Sequence, residues 1–344
     1  MTNLEENIYT KDHNIHIEEL GNINSLSPRD SMASIVYNDQ MWLFGGFTPN
    51  RSNEILFSSN GTYWEKGHTP FWSKRNLHSV VCFNKKLWLM GGYGGNYYNK
   101  CLNDIHSSVD GIKWKLEATF SPWQARAAFG LVEFRENLYL LGGIGGHGLS
   151  TCFSDVWKSK DGINWDLVTN DAPWGKRGMM TLAIFKNKIW LLGGGEYDER
   201  YVYNIKKNYN DAWSSEDGIN WKKETDSTEF SPRRFFRNFV YNNYLHITCG
   251  FELDKRIFPE SRNGLRKNSL SNQQLDIFDM KKGRDFGNLN DIWRTSDGIN
   301  WQQIKLMNKF SPRHEPSVIV FKDAVFWIGG FGTVLYNDVW KLKY

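Results

Sequence analysis

The sequence predicts an all-β fold, a six-bladed β-propeller of four-stranded antiparallel blades. Three observations predict it. A short motif recurs along the chain, as SSVDGIKW (107–114), SKDGINW (159–165), SSEDGINW (214–221) and RTSDGINW (294–301), with a worn copy, SSNGTYW, at 58–64. The distances between this motif and its neighbours stay almost constant from copy to copy. The flanking residues alternate apolar and polar with period two, as strands do.

Each unit opens on an arginine: Arg29, Arg75, Arg126, Arg177, Arg233 or Arg313. Two short apolar runs follow, joined by a polar turn, as in SIVYNDQMWLFGG (34–46) and TLAIFKNKIWLLGG (181–194). They are rich in β-branched and aromatic residues and read as the first two strands. Thirteen residues after the arginine stands Trp42, Trp88, Tyr139, Trp190, His246 or Phe326. Sixteen residues after it a doublet begins, Gly-Gly in five units and Cys249-Gly250 in the fifth. A variable stretch leads to the third strand, which ends each unit's ND(V/I/A)W-like segment. The Asp-Gly pair then turns the chain into a fourth strand, because glycine accepts the positive φ of a tight hairpin. A meander of this kind cannot bury both faces alone and stacks on its neighbours.

The last unit stops after NDVWKLKY, at its third strand, and Ile17 lies twelve residues before Arg29, where a hairpin tryptophan belongs. Residues 13–20 are therefore expected to complete the last blade. The whole chain, 1–344, reads as one domain, with a long loop insertion at 251–289.

Composition limits the function classes. Forty-two basic and 38 acidic residues give a formal charge of +4, too weak and too evenly spread to argue for nucleic acid. There is no apolar run long enough to span a membrane, and the polar N-terminus does not read as a signal peptide, so a cytoplasmic location is expected. Cys82, Cys101, Cys152 and Cys249 lack CxxC spacing and point to reduced thiols rather than a metal. No metal and no cofactor are expected.

The double glycine, the arginine before the first strand and the late tryptophan resemble the kelch repeat. The DGINW hairpin also resembles the Asp-box of sialidase-type propellers. The kelch resemblance implies a central channel with variable loops on one face, where function concentrates on such scaffolds. Arg75, Arg126, Arg177, Arg233 and Arg313, with Arg29, would encircle that mouth and suit a carboxylate or acidic sugar. Trp123 and Trp174, three residues before their arginines, would offer a stacking platform. Acid-base candidates on the same rim are Glu196 and Glu252, beside Asp198, Glu199, Asp254 and Glu315, with His147 and His314 as further ligand-binding candidates. No motif pairs any of them. The leading expectation is therefore a non-catalytic propeller that binds a protein or acidic glycan. The alternatives are a sugar-handling enzyme similar to the kelch-type sialic acid mutarotases, or a kelch-type metalloenzyme.

Overall fold

The DGINW hairpin shows why its letters are fixed. In the computed structural model, which describes residues 15–95, 100–146, 149–197, 205–252 and 287–343, Thr151–Ser159 pairs antiparallel with Asp166–Thr169 across this turn. The Gly162 N–H donates to Ser159 Oγ (2.8 Å), and the N–H groups of Ile163 and Asn164 donate to Asp161 Oδ1 (2.8 and 2.7 Å). Trp165 Nε1 closes the turn on the Gly162 carbonyl (3.2 Å). Gly162 has φ +82°, and a Cβ there would lie 2.8 Å from the ring of Trp88 in the preceding unit. Backbone conformation and neighbour contact each require glycine at this position. The same donors act at Asp217 and Asp297. Partial burial pushes these carboxyls up, but their backbone and asparagine hydrogen bonds outweigh it and bring both down to about 2.

The described residues form 26 strands in five sheets. Four sheets have four strands each. Three of these follow the repeat directly, beginning at Ala33–Tyr37, Thr181–Phe185 and Arg237–Tyr241. The fourth joins Ser317–Phe321, Ala324–Phe331 and Leu335–Leu342 to Ile17–Asn22.

The fifth sheet has ten strands and corrects the expectation of six separate four-stranded blades. Its two meanders run from Ser79 to Ala118 and from Gly130 to Thr169. The two-residue strand Arg126–Ala127 pairs with Lys100–Ser108 on one side and Asn137–Gly145 on the other, which fuses them. Arg75–Asn76 adds a further short strand along Lys86–Gly94. Among the described residues no sheet closes on itself. The arrangement remains an all-β propeller, with its core in the seams between meanders. One seam packs Phe83, Trp88 and Met90 against Trp123, Leu138, Leu140 and Trp165. Each large apolar side chain so buried contributes about 1.5–3 kcal/mol.

Two features close the molecule. Ile17–Asn22 pairs antiparallel with Leu335–Leu342, from Ile17 opposite Leu342 to Asn22 opposite Asp338, so both chain ends share one sheet. Asn308 clamps the incoming strand, accepting from the Ile17 N–H (3.0 Å) and donating to its carbonyl (2.6 Å). Removing residues 1–23 should therefore abolish the cooperative unfolding transition; thermal scans unchanged from the full chain would contradict this.

The second feature lies two residues after each opening arginine. Ser31, Leu77, Ala128, Met179, Phe235 and Glu315 all have positive φ, from 50° to 58°. The N–H of each donates to the carbonyl of the one before, at 2.9–3.3 Å, and Ser31 donates back to Glu315. These bonds form a closed loop of backbone around the axis.

Candidate functional site

The opening arginines are internal ties. Arg75, Arg126, Arg177, Arg233 and Arg313 are at most 1% exposed, and each grips one carboxylate with two hydrogen bonds of 2.6–3.0 Å. The partners are Asp104, Asp155, Asp211, Asp291 and Asp338, the aspartates of the ND(V/I/A)W-like segments; in the first unit Glu54 takes this place for Arg29. A further N–H of each arginine donates to the carbonyl at the first position of the doublet, which explains the constant interval of sixteen residues. The expectation that this ring meets a ligand is corrected, because protein acceptors occupy the guanidinium groups.

Trp123 and Trp174 are 0% and 2% exposed and pack edge-to-face on Trp165 and Trp221, so they seal seams and form no rim platform. Glu196 receives Lys206 (2.7 Å) and Tyr209 (3.1 Å). Glu252 is half-buried, and its N–H donates to the Gly287 carbonyl. Among the described residues neither is grouped with a second carboxyl or a histidine. His147, Asp198, Glu199, Asp254 and most of 251–289 lie outside the described residues. His246 is a core residue, stacked on Phe239 at 4.5 Å and bonded to the Tyr244 carbonyl.

His314 and Glu315 have a different setting. They follow Arg313 into the axial loop, where the first unit supplies Asp30 and Ser31 after Arg29. Four of the six loop positions carry apolar or small residues, Leu77, Ala128, Met179 and Phe235, which join a buried cluster with Cys101, Ile144 and Cys152. The scaffold therefore closes without polar groups there. At the remaining two, Ser31 Oγ lies 2.9 Å from Asp30 Oδ1 and 2.7 Å from Glu315 Oε2. Both carboxyl residues are buried, at 6% and 5% exposure. Sequence reading included Glu315 but missed Asp30, Ser31 and Arg237. Comparing the second residue after each arginine would have set Ser31 and Glu315 apart from Leu77, Ala128, Met179 and Phe235.

Cations surround the pair. Arg237 Nε donates to the Pro316 carbonyl (3.0 Å), and its charge acts on both carboxyls. Arg234 lies against Phe235 and Phe251 at 5.5 and 4.9 Å. His314 sits among Phe235, Phe251 and Phe331 at 5.3–5.8 Å, with Nδ1 2.6 Å from Asn288 Oδ1. Burial pushes the Glu315 carboxyl up to about 7, against the pull of Arg237, Ser31 and Arg234. Burial, then the charge of Glu315, raises Asp30 well above the carboxylate range. Burial, then Arg234 and Arg237, holds His314 neutral down to about 3.

Glu315 binds its proton more tightly folded than unfolded, so its contribution is complete below the ordinary value of 4.5 and is lost as pH rises through about 7. Glu315→Gln mimics the neutral carboxyl. The wild type should lose stability relative to this variant between about pH 5 and about pH 8 in denaturant titrations; a constant gap would contradict the raised carboxyl.

Asp30, His314 and Glu315 also offer ligand atoms within 4.8 Å of one another. Two guanidinium groups beside them already supply positive charge, so the surroundings suit an anion better than a metal cation.

His78, three residues after Arg75, is buried with neither ring nitrogen hydrogen-bonded, and burial takes it down to about 3. Phe129 and Phe236 occupy the same register. His78→Phe should raise unfolding stability by about 1–3 kcal/mol, the cost of an unsatisfied buried polar group; a loss in urea titration would contradict this.

No protein-family model matches the chain, and no curated protein matches it. Among solved structures, one titled "Structure of YjhT" superposes with a TM-score of 0.67 at 12% identity, over 92% of this chain and 94% of that one. At that identity the likeness shows the propeller fold alone.

Proposed function

We propose that this chain is a sugar-handling propeller that exchanges the anomers of a small acidic sugar at its axial mouth. One observation carries the reading: two buried carboxyls bridged by one hydroxyl, beside Arg237, with Glu315 at a position that four other units fill with Leu77, Ala128, Met179 and Phe235. Anomer exchange needs an acid and a base together, and groups titrating near neutrality serve both roles best. Arg237 and Arg234 give the mouth the charge to attract a carboxylate. Phe235, Phe251 and Phe331 supply apolar surface beside them. The kelch-like spacing of arginine, doublet and tryptophan supports placing function at this mouth. The non-catalytic reading rested on the lack of a paired acid and base, and the axial pair removes that premise. NMR exchange spectroscopy with N-acetylneuraminate and related sugar acids tests the reading. Acceleration of anomer exchange over buffer is expected, and no acceleration with any of them overturns it.

A further inference from the structure

We propose that Asp30 and Glu315 hold a single proton between them through the Ser31 hydroxyl, forming a proton-exchange site at the axial mouth. The geometry is a matter of hydrogen count. Ser31 Oγ lies within hydrogen-bond distance of a carboxyl oxygen on each side, 2.9 and 2.7 Å, yet the hydroxyl has one hydrogen. It can donate to one carboxylate only. The other contact requires a hydrogen on the carboxyl, which then donates to the serine. Both carboxyls are buried, where two full negative charges across one oxygen atom would repel strongly.

The groups facing the pair are consistent with one remaining charge. Arg237 approaches from its own strand, and Arg234 lies beyond Phe235. His314 stays uncharged, its Nδ1 proton held by Asn288. Cys249 lies close enough to Arg237 to act on it, but burial pushes its thiol up to about 12, so it adds no charge near neutrality. The backbone pins the distance, because the Ser31 N–H also donates to the Glu315 carbonyl (3.3 Å).

The chemistry, which rests on the sugar reading, balances without another reactant. The protonated carboxyl gives its proton to the sugar ring oxygen as the bond from that oxygen to the anomeric carbon breaks. The ionised carboxyl takes the proton of the anomeric hydroxyl as the carbonyl forms. The pair has then moved its proton from one carboxyl to the other, and ring closure returns it. Rotation of the open chain and reversal of the same steps give the other anomer.

Carbon-13 carboxyl NMR of the full chain, labelled at Asp and Glu and titrated without sugar, tests the shared proton. One carboxyl step well above the ordinary carboxylate range is expected in the wild type. It should be displaced in Glu315→Gln, where burial alone holds Asp30 up, and in Ser31→Ala, which leaves both carboxyls in place. A wild type whose carboxyls all titrate in the ordinary range overturns the proposal, as does a step that Ser31→Ala leaves unmoved. A raised, serine-linked step without anomer exchange keeps the shared proton and removes the sugar reading. Anomer exchange without such a step does the reverse.

Discussion

Arg126→Ala should destabilise the chain by about 3–5 kcal/mol, the effect of removing one partner from a buried ion pair. The Arg126 side chain is 0% exposed. It donates to Gln124 and Gly142 carbonyls and to both oxygens of Asp155. Its guanidinium also stacks 4.1 Å from the Phe153 ring centre. Truncation strands the Asp155 carboxylate beside the Trp157 indole N–H, and leaves the Gly142 carbonyl without its arginine. Arg126 also sits on the short strand that fuses two meanders, so the loss reaches both. Lysine cannot replace the two-pronged grip, and Arg126→Lys should recover only part of the loss. A double variant that also removes Asp155 should cost less than the sum of the single changes. Lys223→Ala gives the contrast. Its ion pair with Asp226 is exposed, and its removal should change stability by less than about 1 kcal/mol. Urea titrations decide both cases; an Arg126→Ala loss as small as that of Lys223→Ala would overturn the structural role of the arginine ring.

Glu315→Gln should lower anomer exchange by about 10²–10⁴-fold, the range a positioned acid-base group supplies. The amide keeps the size of the side chain and can still accept from the Ser31 hydroxyl, so the axial contact survives while the exchangeable proton is lost. The variant therefore separates chemistry from folding. It should unfold as cooperatively as the wild type and still bind the sugar acid. Unchanged exchange in folded Glu315→Gln would remove Glu315 from the chemistry.

Much of the architecture was legible because the repeat encodes it locally. The interval of sixteen residues is a hydrogen bond from Arg126 to Gly142, repeated in every unit. The serine and aspartate of SKDGINW are the acceptors that fold its own hairpin. Two things escaped. Strands of two residues, such as Arg126–Ala127, are too short to carry an alternation, so the fusion of two meanders left no pattern to read. The carboxylate partners of the arginines also lie at unequal distances along the chain, 25, 29, 34 and 58 residues away, because loops of different length intervene. Without those partners in view, the arginines looked available to a ligand. The axial pair is the extreme case. Ser31 and Glu315 are 284 residues apart, and only closure of the chain brings them together.

The backbone loop through Ser31, Leu77, Ala128, Met179, Phe235 and Glu315 acts as a hoop. Widening it would strain every one of its bonds at once, so its circumference is fixed. What fills its centre is then set by side chains alone, apolar from four units and polar at Ser31 and Glu315.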